Sequence, residues 1–194
     1  MSTRRAAQNR SRSGFSMIEL VVVLVIMGVF AGLAIPKVNA GRSRADAAAQ
    51  QVRSVFLTAQ RTSLTRQYDV IVSFDTAKSA VRIGEDTDNN GKIIGVEWKF
   101  WRSIGDGKFM IPPVASDNTT KPTASIVGTF RSVDLMPSVV FHRDGSASTD
   151  AEIYVGTIFK NQKPDWRMVT LARPTGRSDM FRLANGKTWI PGTR

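Results

Sequence analysis

The sequence predicts an α+β fold: a long N-terminal α-helix, first apolar and then amphipathic, packed on a head of antiparallel β-strands. Three observations carry this. Leu20 to Ile35, LVVVLVIMGVFAGLAI, is a run with no charge and no strongly polar side chain. From Val38 to about Leu64, apolar residues recur at three- and four-residue steps, the spacing of one helix face. After Arg66 the period drops to two, the spacing of strands. The chain divides into a basic leader at 1–14, an apolar helical segment at 15–36, an amphipathic helix at 37–66 and a β-rich head at 67–194.

Composition limits the chemistry. A chain of 194 residues suits one domain with an added element. The absence of Cys excludes disulfides, thiol chemistry and a Cys-based zinc site, and one His excludes a multi-His metal site. A net charge of +11 points to nucleic acid, an anionic membrane or an acidic protein as partner. That charge sits at the two ends. Arg4, Arg5, Arg10 and Arg12 fall within the leader, which has no acid. From Lys160 to Arg194, eight basic residues face only Asp165 and Asp179, while the stretch between the ends is nearly balanced.

Phe15 to Ile35 is interrupted only by Ser16 and Glu19. At about 1.5 Å per residue it reaches roughly 30 Å, the thickness of a bilayer core. Arginines before it place the N-terminus in the cytoplasm and the head outside. Three readings compete for this segment: a plain signal anchor, a secretory signal cut at Val38-Asn39-Ala40, and a segment built around Glu19. A carboxylate in the apolar run costs on the order of 3 kcal/mol of insertion without a partner. A cut between Gly14 and Phe15 would place a new α-amine one helical turn from that carboxylate.

Gly14-Phe15-Ser16-Met17-Ile18-Glu19-Leu20, after a short basic leader and before a long apolar stretch, resembles the class III signal of type IV pilins and pseudopilins. The resemblance implies cleavage after Gly14 by a cytoplasm-facing prepilin peptidase and N-methylation of Phe15 by the same enzyme. It also implies a registry role for Glu19 in assembly, and Pro36 falls where many members have a helix-kinking proline.

In the amphipathic helix the apolar stripe is Val38, Ala45, Ala48/Ala49, Val52, Val55/Phe56 and Ala59. It suits both a face packed on the head and a stalk packed on neighbouring subunits. Strands are predicted at Tyr68–Phe74, Ala80–Ile83, Val96–Trp101, Ser138–Phe141, Glu152–Phe159, Arg167–Ala172 and Asp179–Leu183, with an exposed loop at Ile111–Lys121. Phe141-His142-Arg143-Asp144-Gly145-Ser146 and then RMVTLARPTGR from Arg167 to Arg177 resemble the end of the GspH/FimT head. There, an F-x-x-x-G hairpin is followed by strands and a closing Gly-Arg. That resemblance implies a pilin-like fold of GspH type. It implies a non-enzymatic minor pseudopilin of a type II secretion pseudopilus, in contact with other pseudopilins or pilins and with inner-membrane lipid. It would be a single-pass protein with a periplasmic head. The alternative it leaves open is a FimT-like minor type IV pilin that binds DNA.

Four further features bear on binding or chemistry. Asp86, Asp88, Asn90 and Glu97, around Gly91, fit the calcium-loop pattern, so Ca2+ is the one candidate cofactor; the same residues also make an ordinary hairpin loop. His142 is a lone strand-end histidine, and no nucleophile motif or P-loop accompanies it. Trp98 and Trp101 would lie on opposite faces of a strand. The basic C-terminus reads as solvated strand faces, as contact with an acidic subunit or lipid headgroups, or as a DNA surface through Arg173, Arg177, Arg182 and Lys187.

Overall fold

The computed structural model describes residues 15–33, 40–158 and 163–192. Gly14, Pro36, Val38 and the leader lie outside them. Two compact units result, Met1–Val38 and Asn39–Arg194.

In the first unit, α1 spans Met17–Leu33. Its valines and isoleucines would favour a strand on a half-buried surface, yet the run is helical, which satisfies its backbone groups internally as an apolar medium demands. From Phe15 to Val29 every side chain is exposed, so no face of the helix is reserved for a core. Its 17 residues cover about 25 Å. No helix among the described residues is long and apolar enough to cross a membrane, and residues 34–36 of the expected span are not described.

The second unit opens with α2, Ala40–Arg66. Among the described residues eleven strands follow: β1 Val70–Asp75, β2 Ala80–Glu85, β3 Arg102–Ser103, β4 Lys108–Phe109, β5 Ile126–Gly128, β6 Arg131–Val133, β7 Met136–Phe141, β8 Ala151–Thr157, β9 Asp165–Ala172, β10 Arg177–Ala184 and β11 Thr188–Pro191. They form two antiparallel sheets, β3-β2-β1-β7-β6 and β11-β10-β9-β8-β4, with β5 also paired to β8. The predicted architecture, one helix on antiparallel sheets, is the one observed.

Alternation places Val70, Val72 and Phe74 of β1, and Val169 and Leu171 of β9, in one core with the stripe of α2. Ala45, Ala48, Ala49, Val52, Val55, Phe56 and Ala59 are all buried. The alanines let backbones come close: a Cβ on Gly107, just before β4, would sit 2.3 Å from the Ala48 Cβ. Phe56 fills the middle, with its ring centroid 6.0 Å from Phe74 and 5.8 Å from Phe141.

One predicted strand is absent. Val96–Trp101 instead begins as a short 3-10 turn at Gly95–Glu97 and continues as extended chain held to β2 by one bridge, Gly84–Trp98. The apolar alternation is there, but of Val96, Trp98 and Phe100 only Trp98 is partly buried, packed on Ile71, Ile93 and Val140. Val96 and Phe100 are each 95% exposed, while Glu97 is buried. The expected separation of the two tryptophans fails for the same reason. Both rings stack on the Arg82 guanidinium, at 3.5 Å (Trp98) and 4.6 Å (Trp101). The short strands β3 to β6 and β11 had no clear alternation in the sequence.

Polar contacts help fix α2 to the sheets, among them one near its start and one farther along. Near its start, Arg167 of β9 is 1% exposed and bonds Asp46 of α2 at 2.5 Å and Asp165 at 2.7 Å, with the Arg42 carbonyl at 3.4 Å. Farther along, the Gln60 side-chain amide donates to the carbonyls of Gly145 (3.0 Å) and Thr175 (2.6 Å). The two glycine turns named from the sequence, Gly145 after β7 and Gly176 between β9 and β10, thus converge on one side chain. Gly176 has φ +60°, and a Cβ there would lie 2.2 Å from the Gly145 carbonyl oxygen.

Removing Arg167 deprives two carboxylates, each about a third exposed, of their charged hydrogen-bond partner. Arg167→Met is expected to cost about 1.5–3 kcal/mol of stability by urea denaturation. Gly176→Ala combines backbone strain with a clash and is expected to cost at least about 2 kcal/mol by the same measurement.

Candidate functional site

At the N-terminal segment, Glu19 lies in the first turn of α1, and its carboxylate accepts a hydrogen bond from the Ser16 amide at 3.4 Å. A negative group there complements the unsatisfied amides of a helix N-terminus. Phe15 precedes that amide directly and is exposed. The carboxylate is therefore folded back toward the nitrogen that a cut after Gly14 would free. Gly14 and Pro36, the other two residues expected here, are not described.

In the loop between β2 and β3, carboxylate oxygens of Asp86, Asp88 and Glu97 lie within 4.8 Å of one another. Each already accepts hydrogen bonds from the loop itself. Asp86 takes the amides of Asn90 (3.0 Å) and Gly91 (2.8 Å). Asp88 takes the Asn90 side-chain amide at 2.6 Å. Glu97 takes the Thr87 amide and hydroxyl and the Ile94 amide, at 3.0, 2.8 and 3.1 Å. The Asn90 oxygen, the fourth expected ligand, accepts from the Lys92 amide at 2.7 Å. These bonds leave further lone pairs on the carboxylates, so the same oxygens could also face a cation, and the geometry in place is that of a turn clasped by its own amides. The Ile94 amide first, then the Thr87 hydroxyl, hold the Glu97 carboxyl below the usual carboxylate range. Thr119 acts likewise on Asp117, and Ser146 on Asp144, in each case first through the side-chain hydroxyl.

The four cations expected to form a DNA surface do not share a face. Arg177 and Arg182 are an odd number of residues apart on β10, so they point to opposite sides. Arg177 is paired with Asp179 at 3.0 Å, and Arg182 is half-buried with its Nε lacking a partner. Arg173 sits in the β9–β10 turn, and Lys187 lies in the turn at the other end of β10. Of the C-terminal basic excess, Arg167 belongs to the core; its neighbours were visible in the sequence, but its burial was not. Burial acts to lower its pKa, and the bonds to Asp46 and Asp165 outweigh that and raise it. Gln60 was also missed, because nothing in the helical stripe marks a polar residue as a clamp. His142 Nδ1 lies 3.2 Å from an Asp69 oxygen, and Arg143 approaches the same carboxylate.

The chain matches the model of the prokaryotic N-terminal methylation motif over residues 9–35. Its N-terminal segment is thus of the prepilin type. No curated protein matches the chain. Among solved structures it is similar to the minor pseudopilin EpsH from the type 2 secretion system of Vibrio cholerae, at 16% identity and a TM-score of 0.41, covering 74% of this chain and 99% of that one.

Because the folded Glu97 pKa lies below its unfolded value, the stabilisation it gives is complete above about pH 4.3 and is lost as the pH falls through the folded value. Asp117 and Asp144 act in the same direction. The urea midpoint is expected to fall from about pH 5 to pH 3, and less steeply in Glu97→Gln.

Proposed function

We propose that the chain is a non-enzymatic filament subunit, a minor pseudopilin of the GspH/FimT type that serves a type II secretion pseudopilus. The observation that carries this is the prepilin-type segment with the Glu19 carboxylate on the Ser16 amide, one residue from the Phe15 nitrogen. A prepilin peptidase hydrolyses the Gly14–Phe15 peptide bond, water supplying the hydroxyl to Gly14 and a proton to the freed amine. The same enzyme methylates Phe15. An α-amine has an ordinary pKa near 8, so it is cationic at neutral pH and pairs with Glu19 of its own or a neighbouring chain. That pairing offsets the cost of a carboxylate in lipid. The apolar segment anchors the subunit in the inner membrane, with the leader cytoplasmic and the head periplasmic, and other pseudopilins receive it during assembly.

Processing is read by the shift of the chain to lower mass. A bulky residue at Gly14 is expected to block that shift. Glu19→Ala is expected to be cut normally and to enter sheared filaments at least about tenfold less than the wild type. Full incorporation of Glu19→Ala would defeat the pairing.

A further inference from the structure

A groove of the head opens at the end of the second sheet near the start of β9, with a volume of about 800 Å3. Its floor is Trp166 and Pro164, and Ile111, Pro112 and Pro113 of the long loop make one wall. Trp166 is held in place: it pairs with Gly156 across the β8–β9 ladder, and a Cβ on Gly156 would come within 3.0 Å of the ring. The three prolines offer no amide donors, so the lining is apolar apart from its rim. On the rim stand Lys121 and Lys163, with Lys187 following Gly186 in the adjoining turn. No acid lines the groove, and among the described residues none of these lysines makes an ion pair.

We propose that this groove docks an extended acidic segment of a different subunit, with its carboxylates on Lys121, Lys163 and Lys187 and an apolar side chain on Trp166. The inference rests on the filament reading above and names the surface and the partner's chemistry. Charge complementarity selects the occupant. Uncompensated ammonium groups around an apolar floor fit carboxylates interleaved with apolar side chains. A second copy of this chain is disfavoured, because without its leader the chain still carries 23 basic against 16 acidic residues. Nucleic acid is disfavoured by layout. Arg173 and Arg177 stand at the far end of β9, about 25 Å away along the strand, and among the described residues of that strand the one cation between them and the lysines, Arg167, is buried.

The test uses the full chain in its own cell membrane, with the photoreactive residue p-benzoylphenylalanine replacing Ile111. The expected adduct is with another pilin-class subunit, through a peptide of net negative charge. It should fall about tenfold or more when Lys121→Glu and Lys163→Glu are combined. It should persist in Arg173→Glu, whose charge change lies at the far end of the strand. An adduct with a second copy, with lipid or with nucleic acid alone, no adduct at all, or one indifferent to the lysine reversals would overturn the proposal. Filament content of the wild-type chain, measured in parallel, judges the filament reading separately. A chain found in filaments without the adduct defeats the groove alone, and an acidic-subunit adduct from a chain absent from filaments defeats the filament reading alone.

Discussion

The head depends on one buried guanidinium. Arg167 stands on β9, in a sheet whose inner face is mostly apolar, and is reached by Asp46 from α2 and by Asp165 from its own strand. A charge this deep is tolerable only with its partners in place. The ion pair therefore acts as a registry device. An apolar stripe rich in alanine slides or rotates at little cost, since one alanine resembles the next. The Asp46–Arg167 bond admits one register of α2 on the second sheet, and the Ala48–Gly107 contact then becomes possible.

Gln60 supplies the second fixed point, fourteen residues further along α2, or about 20 Å. Its amide joins one turn from each sheet, so the two sheets are located relative to each other through the helix as well as through the shared phenylalanine cluster. Gly145 and Gly176 fit this arrangement because side chains there would intrude on Gln60, on Leu64 or on the facing carbonyl. The glycine spacing in the sequence therefore reflects a three-way junction.

Much of this could be read in advance where a single periodicity governed a segment. The α2 stripe, β1, β2, β7, β8, β9 and β10 each bury one face or both, and their patterns say so. Where polar atoms override the pattern, reading fails. The alternation at Val96–Trp101 is as regular as any in the chain, but the Glu97 carboxylate is drawn inside by the amides of Thr87 and Ile94, which turns Val96 outward. Strands of two or three residues, such as β3 and β4, are too short to show a period. At the site, the N-terminal motif was legible because its parts are adjacent in sequence. In the basic C-terminus, strand alternation and burial scatter residues that composition groups together, so their placement was not legible in the sequence.

The uniform apolarity of α1 has a consequence for energy supply. A helix greasy on every side has the same hydrophobic free energy among lipid tails as among other apolar helices. In the filament proposed above, moving such a helix from bilayer to filament would neither gain nor lose much by burial, so the step would be close to neutral and reversible. Direction must then come from groups other than the apolar ones: a single carboxylate finding an amine, contacts between heads, and external work. On this reading α1 acts as a low-friction bearing, and the specificity of assembly lies outside its apolar surface.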